Sequence, residues 1–272
     1  MNKNIIDNLK IITDEEKKIL EGSKLSMDNY VSENKNTIDS KKMLANGELI
    51  AIRPHTRFTY FPQHSHNYVE IMYVCSGKID HVINGKDNIV LNEGEILFLN
   101  RHCRHAIKRA GLDDVAVNFI VLPQFFERAL GMIGSNNTLG KFLLSSIRNE
   151  TDGINWLHFH VAGIIPVQNL VENLICNIIS ENKDSESVKE TTMGLLMMNL
   201  LNIPDKMTMP KPVMYENKLV MAALSEIDTD CKTASLSHVA EENNISISYL
   251  SNLITQTTGK NFKEILCEKR LE

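Results

Sequence analysis

The sequence predicts a multi-domain α+β protein: a small all-β sandwich or barrel, then a helical segment, then a C-terminal all-α helix-turn-helix. Three observations carry this. Residues 47–122 consist of short apolar runs separated by turn residues, among them "ELIAIRP", "VEIMYVC" and "KIDHVING", the pattern of many short strands. From Pro123 to about residue 205 apolar residues recur at helical spacing, as in "VQNLVENLICNIIS",. Pro204, Pro210 and Pro212 then mark a break before residues 216–272, which read as short helices throughout,.

Composition narrows the class. With 272 residues, 43% of them hydrophobic and 23% charged, the chain can bury a core in each of two domains. A net charge of -5 is unlike a protein coated with cations for unspecific polyanion binding, so any DNA contact must be local. The 5 cysteines, Cys75, Cys103, Cys176, Cys231 and Cys267, have no CxxC spacing and fit reduced thiols in a cytoplasm. No signal-peptide core and no membrane-spanning apolar run is present, so a cytoplasmic location without membrane contact is expected.

Residues 1–46 are polar and Asn/Lys-rich and are expected to form an extension, with one helix capped by Thr13, boxed by Glu16 and ended by Gly22. Residues 47–122 form the β domain, in which Asn84-Gly85 between two strand-like runs signals a hairpin. Residues 123–205 follow as helices, notably around 166–180 and 190–201. The Met- and Leu-rich "MGLLMMNLL" at 193–201 is packing surface rather than a cofactor box. Trp156, His158 and His160 read as structural. Residues 206–215 are the expected interdomain linker.

Within 216–272, "SLSHVAEENNISISYLSNLITQTTGKNF" has Leu236, Val239 and Ala240 on one helical face, Asn243 and Asn244 in a turn, and Ser246 capping a second helix with Leu250, Leu253 and Ile254 inward. This is a helix-turn-helix. Ser246, Ser248, Tyr249, Ser251, Asn252, Thr255 and Gln256 are the candidate DNA contacts, since their polar groups can bond base edges and phosphates. The alternative is a helical hairpin that packs on another protein. Lys232, Lys260, Lys263, Lys269 and Arg270 are matched by Glu241, Glu242, Glu264, Glu268 and Glu272, so counterion release contributes little and this segment alone should bind DNA weakly.

Leu236 with Ala240, Ser246, Tyr249-Leu250-Ser251, Gly259, Phe262 and Arg270-Leu271 resembles the first half of the DNA-binding domain of AraC/XylS-type transcription regulators. Two departures stand in the second helix: Ile254-Thr255 where the family usually has Phe-Lys, and Asn252 where it often has Arg. The resemblance implies a dimeric, effector-responsive regulator of promoter DNA whose second helix reads the major groove, with contact to RNA polymerase among its expected partners. A helix between the domains mediates dimerisation in that family, which makes 166–180 and 190–201 candidates. Family members continue through a linker helix, begun here at "NFKEILCEKRLE", into a second helix-turn-helix. The expectation is therefore a partial AraC-type domain in a truncated or fragmentary chain.

"PQHSHNYVEIMYVCSG" at 62–77 holds the candidate small-molecule chemistry. Extended backbone puts His64, His66 and Glu70 on one face. The spacing resembles the first cupin motif, with Phe58 in place of its leading glycine. Gly94, Asn100, His102, His105 and Arg109 follow the second motif, with departures at 100, 102 and 109. The resemblance implies a cupin-like barrel in which His64, His66, Glu70 and His105 occupy the four metal-binding positions, suited to a divalent transition metal. The same residues can instead line an effector pocket or satisfy one another in the core. Arg101 and Arg104 are candidate contacts for an anionic group on the effector. Two other functions remain open: a metal-dependent cupin enzyme such as a dioxygenase or isomerase, and a truncated partner that dimerises with intact regulators.

Overall fold

In the computed structural model, which describes residues 3–32, 36–148, 154–179, 186–229 and 231–271, the chain divides into two compact units, Met1–Thr208 and Met209–Glu272. Ser180 and Glu272, at the ends of two expected segments, lie outside the described residues.

The first unit opens with α1 (Lys3–Leu9), α2 (Asp14–Leu20), β1 (Thr37–Ile38) and α3 (Ser40–Met43). Thr13 and Glu16 form the expected capping box, with Glu16 N–H donating to Thr13 Oγ1 at 3.2 Å and Thr13 N–H to Glu16 Oε2 at 2.9 Å. The polar extension expected at 1–46 packs against the barrel. Tyr30, Val31 and Ile38 are buried in the barrel core, and β1 pairs in parallel with Ser65 and His66. A few apolar side chains and one ion pair hold a mostly polar segment in place, and composition averages them away.

Ten more strands complete two sheets: β2 (Ile50–Pro54), β3 (Phe61–His66), β4 (Val69–Ser76), β5 (Lys78–Ile83), β6 (Asp87–Asn92), β7 (Ile96–Leu99), β8 (His105–Ile107), β9 (Val115–Val121), β10 (Trp156–Phe159) and β11 (Met207–Thr208). Their orders are β1-β3-β8-β5-β6 and β11-β10-β7-β4-β9-β2. Asn84 and Gly85 take φ of 51° and 73°, and Lys86 N–H bonds Ile83 O at 3.1 Å, which matches the primed turn that strand twist favours. Phe58, standing where the motif has glycine, has φ of 67°, a left-handed conformation that glycine adopts without strain.

The helices α4 (Glu127–Ile133), α5 (Thr138–Arg148), α6 (Ile165–Ile179) and α7 (Glu186–Leu201) belong to the same unit. Strand β4 is buried from Val69 to Cys75 and, apart from Glu70, carries a run of apolar side chains instead of alternating, because both its faces are covered. Met72 and Val74 enter the barrel core, while Ile71 and Tyr73 meet Val171, Leu174, Met193 and Leu196 of α6 and α7. Each such aliphatic side chain contributes about 1.5–3 kcal/mol on burial. The segment expected to be helical also contains β10, paired with β7 from Trp156↔Leu99 to Phe159↔Ile96; four residues buried on both sides carry neither a helical nor an alternating pattern.

The second unit holds α8 (Lys211–Thr229), α9 (Leu236–Glu242), α10 (Ile247–Thr258) and α11 (Phe262–Leu271). The linker expected at 206–215 is thus half helix. Pro212 falls in the first turn of α8, where a missing N–H costs nothing, so the prolines mark a helix start. Leu219, Ala223, Val239, Ala240, Leu250 and Ile254 share one core. Ser246 Oγ accepts from Tyr249 N–H at 3.1 Å, Asn244 turns at φ of 53°, and Gly259 ends α10 in the left-handed region. Among the described residues no helix is long and apolar enough to cross a membrane.

Candidate functional site

The register of β3 and β8 sets His64 opposite His105, and the two-residue period adds His66 on the same inner face. Glu70 comes from β4 in the other sheet. His66 Nε2 lies 3.2 Å from His105 Nε2, and Glu70 Oε2 lies 3.4 Å from each of them without the alignment of a hydrogen bond. His64, His66 and His105 place ligand atoms within 4.8 Å of one another. The structure therefore brings together all four residues that the motifs single out.

Proton placement follows from the partners. His64 Nδ1–H donates to Pro62 O at 2.8 Å, which leaves Nε2 with a free lone pair. His105 Nδ1 is 3.2 Å from Nδ1 of His81, whose Nε2 lies 3.1 Å from Met72 Sδ. His81 is a partner the sequence reading missed; its signal is the two-residue spacing from Ile79 and Ile83, both in the core. Burial pushes His64 down to about 4 and His81 down to about 3. His66 and His105 sit well below the ordinary imidazole value, through burial first and neighbouring imidazoles second. Burial pushes Glu70 up to about 8. At neutral pH the cluster is thus a set of neutral imidazoles around a protonated carboxyl.

The donor set fits a metal ion. Tetrahedral ligands at about 2.0–2.1 Å from zinc stand roughly 3.3–3.4 Å apart, close to the separations of His66, His105 and Glu70. One buried atom in the set, Glu70 Oε2, has no hydrogen-bond partner, a costly condition that a metal ion would relieve.

A cleft of about 470 Å³, open mouth included, reaches His64 and Glu70 and is also lined by Tyr30, Arg53, Tyr68 and Asn118. Its cation is Arg53, which the sequence reading missed because β2 shows no clean alternation. The guanidinium lies 5.6 Å from the Tyr30 ring centre and 2.7 Å from Met43 Sδ. Asn118 Oδ1 is buried without a partner. Arg101 and Arg104 do not line this cleft. They stand on the β7–β8 connection, Arg104 exposed with its N–H on Asn84 Oδ1. Charge in a loop beside a motif does not fix which way the loop faces.

Residues 46–140 match the model of the AraC-like ligand binding domain. The chain is also 25% identical to the HTH-type transcriptional activator RhaS of Escherichia coli O1:K1 / APEC over 227 residues, 82% of this chain and 75% of RhaS. The chain thus carries an AraC-like ligand binding domain and is similar to an HTH-type activator over most of its length. Among solved structures, ToxT from Vibrio cholerae O395 aligns with 80% of this chain and 96% of its own at 10% identity and a TM-score of 0.36, a likeness too low to argue from.

The helix-turn-helix of the second unit exposes Ser248, Tyr249, Asn252, Thr255 and Gln256 on α10, with Ser251 half-buried. Two of these groups already have partners: Tyr249 OH bonds Glu216 Oε1 at 3.2 Å and Thr255 Oγ1 bonds Ser251 O at 3.0 Å. Ser246 is the helix cap. Among the cations, Lys260 is held by Glu268 at 2.7 Å and Arg270 by the carbonyls of Cys231 and Lys232 at 2.6 and 3.1 Å.

Proposed function

We propose that the barrel binds a small polar effector carrying an anionic group, and that effector binding changes promoter occupancy by the helix-turn-helix. The single observation that carries this is the cleft whose walls combine Arg53 with the unsatisfied Asn118 Oδ1 and Glu70 Oε2. A cleft that converges a few polar groups suits a small molecule, and Arg53 suits a carboxylate. Coupling to DNA requires the effector to favour one arrangement of the protein over another.

The chain acts as a regulator and not an enzyme, since a stand-alone cupin enzyme has no need of α9 and α10. It works in the cytoplasm as a homodimer, and Leu195 and Met198, exposed on one side of α7, supply an apolar face for pairing. DNA reading falls to Ser248, Asn252 and Gln256 of α10. RNA polymerase is the expected further partner.

A second reading of the barrel is favoured by the near-equal spacing of His66, His105 and Glu70. His64, His66, Glu70 and His105 would hold a divalent transition metal, which would supply a fixed positive charge for effector binding. Loading releases the proton of Glu70, while His81 orients His105. A screen of small carboxylates by thermal shift, followed by operator binding with and without each hit, tests the main reading. A hit that stabilises the protein and changes operator affinity is expected; loss of the shift in Arg53→Gln would place it in the cleft. Failure of every anionic compound while neutral ones bind would overturn the anionic assignment.

A further inference from the structure

Glu95, immediately before β7, and His158 and His160, on and just after β10, form a second cluster that shares no residue with the barrel set. Two-residue spacing puts both imidazoles on one side of the strand. Glu95 Oε2 lies 3.0 Å from His158 Nε2 and Oε1 lies 2.8 Å from His160 Nδ1. The ligand atoms of all three fall within 4.8 Å of one another. Asn92 holds the carboxylate from the side through its N–H and Nδ2 at 2.9 and 3.2 Å. Glu95 and His158 are buried, whereas the side chain of His160 is 43% exposed, so one flank is open to solvent.

The N–H that His160 presents to Glu95 can move to Nε2, which lies 3.0 Å from Thr208 Oγ1 and would then donate to it. That is the outer hydrogen bond a ligating histidine ordinarily makes. Two imidazoles and one carboxylate also form a known zinc donor set that leaves a coordination position open.

We propose that Glu95, His158 and His160 are a site for a divalent transition metal ion of the zinc class, distinct from the barrel set, and that its occupation fixes β10 to β11 through Thr208. Strand β11 ends the first unit, so the segment that gains order is the one that leads into the second.

The test is a zinc titration of the full chain, freed of metal by chelator and purified without an affinity tag, read by competition with a chromophoric chelator. Wild type is compared with His160→Ala, Glu95→Gln, and a His66→Ala/His105→Ala variant that removes the barrel set. Because His160 is exposed, His160→Ala is expected to fold, which circular dichroism and melting check. It should bind one equivalent of zinc fewer than wild type. The barrel variant should keep one equivalent, lost when His160→Ala is added, and zinc should slow amide exchange at Met207 and Thr208. Unchanged zinc stoichiometry and affinity in folded His160→Ala and Glu95→Gln would overturn the proposal. If the barrel variant does not fold, wild type against His160→Ala still decides.

Discussion

His81 Nδ1 lies 3.2 Å from His105 Nδ1, and the two rings stack with 6° between their planes. His81 touches no position that a barrel metal would occupy; it fixes the tautomer and orientation of a residue that does. Removing such a partner costs about 10–100-fold in metal affinity. His81→Phe keeps the site apolar and bulky, so it should weaken zinc binding at the barrel set by that factor with stoichiometry unchanged. A zinc titration of His81→Phe in the His160→Ala background, where the second cluster is silent, reads this directly. Undiminished affinity would show that His105 needs no such support.

The buried pair of Glu16 and Arg57 anchors the N-terminal segment. Arg57 Nε and Nη2 reach the two Glu16 oxygens at 2.8 and 2.9 Å, and Arg57 Nη1 and Nη2 also bond the carbonyls of Leu112 and Lys10 at 3.1 Å. Truncating one member of a buried pair strands the other, at about 3–5 kcal/mol. Glu16→Gln should therefore lower the unfolding free energy of the first unit by a large part of that range in urea melts. Burial raises the Glu16 carboxyl, but the bonds from Arg57 and Thr13 outweigh it and hold it below its ordinary value. A carboxyl lowered in the fold stabilises above its unfolded pKa and loses that contribution as pH falls through the folded one. The gap between wild type and Glu16→Gln should consequently narrow on acidification; a constant gap would mean the pair is not ionised in the fold.

The barrel was legible wherever one residue type carries a backbone constraint. Asn84-Gly85 named its turn, and His64, His66, Glu70 and His105 converge because strand period and motif spacing say the same thing. Ser246, Asn244 and Ala240 marked cap, turn and close crossing of the second unit for the same reason. What escaped depends on partners far along the chain. His81 looks like one polar residue on an apolar strand until His105 stands beside it. Arg53 is a cation on a short strand until the cleft forms. His158 and His160 pass for structural residues until Glu95, more than sixty positions earlier, faces them. Pro212 looks like a linker proline because breaker residues and first-turn prolines are the same residue.

Arg53, rather than the loop cations, should decide affinity for an anionic effector. A hydrogen bond to a charged group contributes about 1.5–3 kcal/mol, which corresponds to roughly tenfold to hundredfold in affinity. Arg53→Gln should weaken any carboxylate hit from the thermal-shift screen by that factor, measured by calorimetry, while Arg101→Ala and Arg104→Ala leave it within about twofold of wild type. The reverse ranking would move the effector to the β7–β8 connection.

Leu195 and Met198 are each 41% exposed, while Met193, Leu196, Met197 and Leu200 on the same helix are buried. An apolar stripe left over after the helix has packed is the surface proposed above to take a second copy. Leu195→Glu together with Met198→Glu should shift the chain toward monomer in sedimentation velocity, with the melting temperature of a concentrated sample becoming independent of concentration. A monomer–dimer balance that does not respond would place the interface elsewhere.

The face of α10 proposed to read DNA contains no lysine or arginine, and three cations of the second unit are committed to protein groups: Lys260 to Glu268, Lys269 to Asp228 at 3.5 Å, and Arg270 to two carbonyls. Each phosphate neutralised adds about 0.9 to the slope of log K against log salt, so an interface that relies on Asn252 and Gln256 should show a shallow slope of about one or two. Asn252→Arg puts a guanidinium at an exposed position of α10. It should steepen the slope by about one, and where a guanine is within reach it should add about 1–3 kcal/mol of discrimination. Fluorescence anisotropy with an operator selected from a random pool, at stepped potassium chloride concentrations, reads both quantities for wild type, Asn252→Arg and Gln256→Ala. Gln256→Ala should weaken binding without altering the slope, because an amide releases no counterion. A steep slope in wild type would mean that the committed cations leave their partners when DNA arrives, and the hydrogen bonds of Arg270 would be the first to examine.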